Sequence, residues 1–208
     1  MSVIAIDGTF SSGKGTLAKQ LAAHYGLPHL DTGKLYRAVA RDVLAAGVSV
    51  DDADQAARIA SRIDATTLDD PYLKSGEIGA AASKVSVHPA VRQALFEFQR
   101  DFAARGAVLD GRDIGTVICP GADVKLFVTA SLEVRAQRRV AEMAERGIDA
   151  NLDDIRDDLA RRDERDANRP ISPLKKADDA HLLDTTNLDI EAAVAAAKAI
   201  IDACLAQP

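Results

Sequence analysis

The chain has 208 residues and a formal net charge of −6, with 26 lysines and arginines against 32 acidic residues. This length suits one α/β domain, and a hydrophobic content of 47% is enough to form a full core. The acidic balance argues against nucleic acid as a partner, because binding to nucleic acid needs a basic surface. Any anion-binding site must therefore be local.

The cysteines and histidines exclude further classes of site. Cys119 and Cys204 lie far apart and form no C-x-x-C pair, so we expect both to be reduced, in a cytoplasmic protein. The four histidines, His29 among them, show no ligand spacing, so we expect packing or surface roles and no protein metal site. No apolar run approaches about 18 residues and no signal-peptide pattern precedes the first strand, so we expect no membrane partner.

A glycine-rich loop follows the first predicted strand, an apolar run at residues 2–6, and leads into a helix with Leu17 and Leu21 one turn apart. Glycines let successive N–H groups converge, and the helix start adds further N–H groups and a positive dipole end. A lysine in such a loop can reach phosphate oxygens. A Gly/Ser turn with a solvated lysine is the alternative to a phosphate-binding loop. The loop consists of Gly8, Thr9, Phe10, Ser11, Ser12, Gly13, Lys14, Gly15 and Thr16.

The loop departs by one residue from the strict pattern G-x-x-x-x-G-K-[ST]. Gly15 stands where a Mg²⁺-contacting hydroxyl is expected, and Thr16 supplies a hydroxyl one place later. This shift argues against a metal site of the Ras or ATPase kind. The ending Gly-Lys-Gly-Thr is similar to that of nucleoside monophosphate kinases.

The next segment predicts a short strand that ends at Asp31-Thr32-Gly33 and a helix over 34–46. Thr32, Tyr36 and Arg37 then lie close together at the carboxyl end of a strand. These side chains suit a bound phosphate ester, while a Thr32 helix cap with a solvated arginine is the alternative. Further helices are predicted over 51–63, 77–85 and 89–104, with a turn-rich segment at 64–76.

A second buried strand, 107–109, runs into Asp-Gly-Arg-Asp-Ile-Gly-Thr at 110–116. Two acids, an arginine and two glycines there indicate a functional site, and a charged turn with an internal ion pair is the alternative. A third strand covers 124–128, and Ser131 caps a helix over 132–146 that carries Arg135, Arg138 and Arg139, possible members of a plain basic face. A strand at 181–184 and an Ala-rich helix at 190–206, capped by Asp189, complete the chain.

The predicted helix at 151–169 changes character along one face. Its apolar stripe, Leu152, Ile155 and Leu159, continues into charged residues. A charge run is ordinarily a solvated face, but here the charges extend the buried side, which favours a set facing a cleft. These charged residues are Arg162, Asp166 and Arg169.

Alternating strands and helices predict an α/β fold with a parallel sheet and helices on both faces. Ligands of such sheets bind at the carboxyl ends of the strands. The glycine-rich loop, Thr32 and the 110–116 loop all lie at that edge.

Together these segments resemble the bacterial cytidylate kinases, nucleoside monophosphate kinases of the P-loop class, over nearly the whole chain. The marks are Ile-Asp-Gly at 6–8 with Gly-Lys-Gly-Thr, Asp-Thr-Gly at 31–33 with Tyr36-Arg37, Ala-Ala-Ser at 81–83 with Val91-Arg92, Asp-Gly-Arg-Asp at 110–113, and Arg-Asp-Glu-Arg-Asp at 162–166 with Asn168-Arg169. Gly79, where the family usually has arginine, and the short segment 64–76 depart from the pattern and bear on nucleobase and sugar selectivity.

The resemblance implies a five-stranded parallel sheet in a single kinase domain, with a small helical excursion and a helical lid. The core would comprise 1–33, 105–130 and 177–208, the monophosphate-binding region 34–104, and the lid about 147–170.

The resemblance also implies the roles of the site residues. Lys14, Arg112 and Arg169 would be catalytic, and the glycine-rich loop would bind ATP with Arg138 and Arg139 covering it. Arg37, Arg112 and Arg169 would hold the acceptor phosphate. Cytosine would be read by Ser83, Arg92 and Asp113, the ribose would be held by Arg162 and Asp166, and Thr32 and Tyr36 would lie near the acceptor.

The implied activity is phosphorylation of CMP and dCMP to CDP and dCDP with ATP and Mg²⁺, by a monomer that acts on small molecules. A carboxylate at Asp113 can accept from the cytosine N4 amino group but would repel the O4 of uracil. A kinase of another monophosphate, of shikimate or of dephospho-coenzyme A is one alternative, and a nucleotide sensor without turnover is another. The stripe of Arg162, Asp166 and Arg169 argues against the sensor, which needs no second phosphate site.

Overall fold

Five strands form one sheet in the computed structural model, which describes residues 2–206. They are β1 (Val3–Gly8), β2 (His29–Asp31), β3 (Ala107–Gly111), β4 (Val124–Thr129) and β5 (His181–Asp184). Their order across the sheet is β2-β3-β1-β4-β5. β3, β1, β4 and β5 run parallel to one another, and β2 lies at the edge beside β3. The predicted α/β class with a five-stranded parallel sheet is confirmed.

Eight α-helices connect and flank the strands in the described part of the chain. They are α1 (Lys14–Tyr25), α2 (Thr32–Ala45), α3 (Ala53–Ala60), α4 (Gly76–Val85), α5 (Pro89–Ala103), α6 (Leu132–Ala144), α7 (Leu152–Ala167) and α8 (Ile190–Leu205). The turn-rich segment forms two short 3₁₀ turns, Ala65–Asp69 and Pro71–Lys74, and a π-helical turn, Ile114–Ile118, follows β3. None of the described helices is long and apolar enough to span a membrane.

Contacts divide the chain into two compact units. The sheet unit comprises the residues up to His29 and those from Gly106 onward, and the helical unit is Leu30–Arg105. In the sheet unit, Ile4 and Ile6 of β1 pack with residues of the neighbouring strands against α1 and α8. In the helical unit, a small core joins Ala38, Leu73 and Ile78.

Capping side chains set several helix starts as predicted. Ser131 accepts from the N–H of Val134, and Asp189 accepts from the N–H of Ala192. The alternative that Thr32 caps the second helix is wrong, because the Asp31 carboxylate accepts from the N–H of Lys34 and Thr32 is the first helical residue.

The first strand extends two residues beyond the predicted end at residue 6. The reason is that the ladder continues, with Asp7 opposite Gly111 and Gly8 opposite Val128. The strand therefore delivers the glycine-rich loop directly from the sheet.

Gly8 gives the first testable prediction. A Cβ on Gly8 would stand 2.0 Å from the carbonyl oxygen of Val128, a backbone atom that the ladder holds in place. We expect Gly8→Ala to lower the free energy of unfolding by about 2–4 kcal/mol and Tm by about 6–12 °C. Thermal and urea unfolding measure both quantities.

Gly79→Ala is the matched control for this substitution. Gly79 lies inside α4 with no atom within 4 Å of the added Cβ, so alanine should raise stability by about 0.5–1 kcal/mol. Equal effects of the two substitutions would contradict the close-approach argument.

Candidate functional site

The glycine-rich loop connects β1 to α1 and turns through two left-handed residues, Ser11 (φ 60°) and Gly13 (φ 86°). Lys14 is the first residue of α1 and is largely buried, and the first turn of α1 carries no acidic residue. The hydroxyl of Ser12 donates to the carbonyl of Thr9 at 3.0 Å, which fixes the curl of the loop. A helix N-terminus without its own carboxylate is suited to an external anion.

Asp7 links this loop to the loop that follows β3. Its buried carboxylate accepts hydrogen bonds from the backbone N–H groups of Ile114 and Gly115, both at 2.8 Å. Burial raises the pKa of Asp7 to about 6, with a smaller rise from the charge of Asp113, although the two hydrogen bonds act to lower it. The sequence analysis had included Asp7 only as a part of the motif Ile-Asp-Gly.

Asp110, at the carboxyl end of β3, borders the start of α1. Its Oδ2 atom lies 3.8 Å from the point where a Cβ on Gly15 would stand. Its Oδ1 atom lies 2.7 Å from Nε2 of His29. His29 was expected to have only a packing or surface role, and its spacing in the sequence gave no signal for this pair, because the two residues are brought together by neighbouring strands.

An arginine cluster gathers around Asp166 of α7. Arg112 donates from Nε to Oδ2 of Asp166 at 2.9 Å. Burial alone would raise the pKa of Asp166, but the charge and hydrogen bond of Arg112, and then the charges of Arg169 and Arg162, lower it below its usual value. Arg112 therefore contacts this carboxylate directly, and the charges of Arg169 and Arg162 also act on it.

This cluster confirms the inward direction of the charged stripe on α7. Leu159 and Asp166 of α7 are buried, and so is Arg169, which lies two residues beyond the end of α7 rather than within the predicted helix. The solvated-face alternative is therefore wrong for these residues. The 110–116 loop likewise contributes Arg112 to the cluster rather than forming an isolated charged turn.

The arginines of α6 differ in their contacts. Arg138 donates to the hydroxyl of Thr185 and to the carbonyls of Thr185 and Leu188 at 2.7–3.1 Å. Arg139 pairs with Glu142 and lies over the ring of Phe10. The basic-face alternative is therefore wrong for Arg138, whose contacts hold the segment after β5.

Arg135 is a site residue that the sequence analysis did not select. It is buried and donates to the carbonyl of Phe10 at 3.3 Å and to the carboxylate of Asp163 at 2.6 Å. It thereby connects α6, α7 and the glycine-rich loop. An arginine four residues after a capping serine is too common to have indicated this contact.

The helical unit contains the remaining predicted residues. Thr32, Ser83 and Arg92 are buried there. The guanidinium of Arg92 lies 5.5 Å from the centroid of the Tyr36 ring, and Arg92 also donates to the carbonyl of Ser86. Arg37 donates to the carbonyl of Leu73 at 2.8 Å. This unit thus brings Tyr36 and Arg92 together, and attaches Arg37 to the turn-rich segment.

Among residues 2–206, no group of three or more His, Cys, Asp or Glu side chains is arranged to hold a metal ion. Neither cysteine forms a disulfide in this part of the chain.

The chain is similar in sequence to known proteins of one family. The model of the family described as cytidylate kinase matches residues 4–203. A curated cytidylate kinase of Rhodopseudomonas palustris is 59% identical over 203 residues, covering 97% of this chain and 96% of the relative. One from Brucella suis is 57% identical over 207 residues, covering 99% and 94%.

A solved structure shares the fold at low sequence similarity. An uncharacterised protein from Eubacterium ventriosum is 17% identical, with a TM-score of 0.55, and the match covers 97% of this chain and 99% of that one. At this identity the likeness concerns the fold alone.

The raised pKa of Asp7 predicts a pH-dependent contribution to stability. Between about pH 4 and pH 6 the folded protein keeps a proton on Asp7 that the unfolded chain, with a pKa of 3.8, has lost. The stabilisation is fully present below pH 3.8 and is lost as the pH rises through about 6. A difference of one unit in pKa between the folded and unfolded states corresponds to about 1.4 kcal/mol, so the free energy of unfolding falls by about 3 kcal/mol.

Urea unfolding of the wild type and of Asp7→Asn, from pH 4 to pH 7, tests this contribution. The difference in free energy of unfolding, wild type minus variant, should decrease by about 3 kcal/mol over that range. Other carboxylates, including Asp166 with its lowered pKa, titrate in both proteins and cancel in the difference. A difference that is constant or grows with pH would contradict the assignment.

Proposed function

The chain belongs to the cytidylate kinase family, and we propose that it transfers the γ-phosphoryl group of ATP to CMP and dCMP, yielding CDP and dCDP. The observation that carries this proposal is the arginine cluster around Asp166, in the same unit as the glycine-rich loop. A donor loop alone would suit any nucleotide-binding protein. A second set of cations suits an enzyme that must also hold an acceptor phosphate.

The donor is assigned to the glycine-rich loop. The N–H groups at the start of α1 and the side chain of Lys14 would hold the β- and γ-phosphates, as in other P-loop proteins. Arg139, which lies over Phe10 of this loop, would add positive charge to the donor. Arg138 would act there as well, although its guanidinium is also bound to Thr185 and Leu188.

The acceptor monophosphate is assigned to three arginines. Arg112, Arg169 and Arg37 would bind it, because guanidinium groups bind phosphate in a bidentate manner. Arg162 and Asp166 would hold the ribose. The nucleobase would be read by Asp113, Ser83 and Arg92, with Thr32 and Tyr36 near the acceptor.

The same assignment divides the chain by role. We propose a single kinase domain with its core at 1–33, 105–130 and 177–208. Residues 34–104 would bind the monophosphate, and a lid at about 147–170 would close over the nucleotides and exclude water.

The proposed chemistry is electrostatic. An acceptor phosphate oxygen is already a competent nucleophile, so the transfer needs no general base. It needs positive charge around a transition state whose negative charge is spread over the transferred group. Lys14 and Arg169 supply this charge from buried positions, and Arg112 and Arg162 supply it from partly buried ones, where charges interact more strongly than in water.

Mg²⁺ accompanies ATP in this proposal, and the buried carboxylate of Asp110 fits it. That carboxylate borders the start of α1, at the glycine that replaces the hydroxyl of the strict motif. Mg²⁺ is commonly held by one or two carboxylates together with phosphate oxygens and water. Asp110 and the phosphates would hold the ion, which would neutralise part of the phosphate charge.

The proposal includes a monomeric enzyme in the cytoplasm. Its two cysteines form no disulfide, as expected for a protein of a reducing compartment.

A coupled assay of ADP release across CMP, dCMP, UMP, AMP, shikimate and dephospho-coenzyme A tests the function. We expect turnover with CMP and dCMP, and a loss of about 10²–10³ in kcat for Lys14→Ala, the size typical of removing one charge-stabilising group. ATP binding without turnover of any acceptor would refute the proposal and favour a sensor. Preference for another acceptor would refute its substrate assignment.

The assignment of Asp113 to the nucleobase gives a further prediction. Asp113→Asn replaces the charged carboxylate by a neutral amide, so the hydrogen bond from the N4 amino group of cytosine loses its charge, and it is lost altogether when the amide nitrogen faces the base. The KM for CMP should rise roughly ten- to a hundredfold, while the KM for ATP should change less than about twofold. Steady-state kinetics with each substrate varied in turn measure both values.

Asp101→Asn, an exposed acid on α5, is the control and should change neither KM. Equal increases in the two KM values for Asp113→Asn would remove Asp113 from the nucleobase site.

A further inference from the structure

The ring of Phe10 contacts two arginines that come from different helices. The guanidinium carbon of Arg162, on α7, lies 3.9 Å from the ring centroid. That of Arg139, on α6, lies 5.6 Å from the same centroid. Both distances are within the range of about 6 Å in which a cation is attracted by an aromatic ring, and the shorter one is close van der Waals contact.

The ring is itself held in place. The carbonyl of Phe10 accepts from Arg135, and Arg135 is fixed by its ion pair with Asp163 and by its bond to the carbonyl of Ala130. Phe10 thus has its backbone tied to α6 and its ring set against guanidinium groups of α6 and α7. The whole assembly belongs to the sheet unit.

Phosphate binding by the loop does not account for this ring. The glycine-rich loop binds through backbone N–H groups and Lys14, and its other members from Gly8 to Thr16 are glycine, serine and threonine. Only 4% of the residues in this chain are aromatic. A phenylalanine at this point adds an apolar, electron-rich surface next to the donor, where the two arginines pack.

We propose that Phe10 is a positioning residue that holds Arg162 and Arg139 beside the glycine-rich loop through the face of its ring. The inference rests on the proposed function, in which Arg139 serves the donor and Arg162 the acceptor. The ring then helps to set both guanidinium groups before the nucleotides bind, that of Arg139 together with its ion pair to Glu142. Long arginine side chains lose rotamer freedom when they are fixed, and this loss is incurred on folding rather than in the transition state.

Three substitutions distinguish a role of the aromatic face of Phe10 from a role of its apolar packing alone. Phe10→Leu keeps an apolar side chain but removes the aromatic face, and Phe10→Tyr keeps the face. We expect Phe10→Leu to lower kcat with CMP and ATP about tenfold with less change in KM for ATP, and Phe10→Tyr to stay within about twofold of wild type. Phe96→Leu is the matched control, since Arg100 lies 5.6 Å from the Phe96 ring on α5, away from the loop; it should leave kcat unchanged.

The kinetics should also show coupling to Arg162. In an Arg162→Ala background, Phe10→Leu should lower kcat by about threefold or less, because the closer of the two arginine partners of the ring has been removed. Full additivity of the effects of Phe10→Leu and Arg162→Ala on kcat would overturn the proposal. Equal losses of kcat for Phe10→Leu and Phe10→Tyr at unchanged Tm would also overturn it.

A spectroscopic measurement tests the contact without activity. Protons on the side chain of Arg162 should show a ring-current shift in the NMR spectrum of the wild type and of Phe10→Tyr, and lose it in Phe10→Leu. Absence of the shift in the wild type would overturn the positioning role. Absence of CMP phosphorylation by the wild type would instead refute the proposed function, and the NMR result would still decide the contact.

Discussion

The buried carboxylate of Asp7 is the interaction on which the site depends. It lies at the carboxyl end of β1, one residue before the glycine-rich loop, and binds the N–H groups that open the loop after β3. A single side chain thus fixes the glycine-rich loop and the segment that carries Arg112 and Asp113 relative to each other. Burial disfavours the charged form of this carboxylate and raises the pKa of Asp7 to about 6. The ladder between β1 and β3 ends at Asp7 and Gly111, so this side chain continues the connection beyond the last ladder pair.

The second constraint is electrostatic. The chain is acidic overall, with a net charge of −6, yet Arg112, Arg162 and Arg169 converge on Asp166. One carboxylate keeps the guanidinium groups together on folding without neutralising them. In the proposed function this positive charge binds the acceptor phosphate, while the acidic net charge of the chain disfavours nucleic acid. The charge of the arginine cluster is therefore opposite in sign to the net charge of the chain.

Much of the fold could be predicted because its signals are local. Apolar runs predicted the strands, Ser131 and Asp189 predicted helix starts, and the interrupted apolar stripe of α7 predicted a buried charge set. The pairs His29–Asp110 and Arg135–Asp163 could not be predicted, because they join residues that are distant in the sequence and carry no spacing pattern. The helix start at Thr32 was misjudged for a different reason, since Asp31 and Thr32 are both good caps and only the backbone geometry decides between them.

The arginines of α6 and α7 make two kinds of contact. Arg135 and Arg138 bind backbone carbonyls of the glycine-rich loop and of the segment after β5. Arg139 and Arg162 instead contact a ring, which attracts a cation without fixing its direction as a carboxylate would. A guanidinium on an aromatic face keeps N–H donors at its edge, and Arg139 uses one of them for its ion pair with Glu142. The arginines of α6 therefore differ in kind: Arg135 and Arg138 attach the helix to other segments through backbone carbonyls, whereas Arg139 lies over a ring.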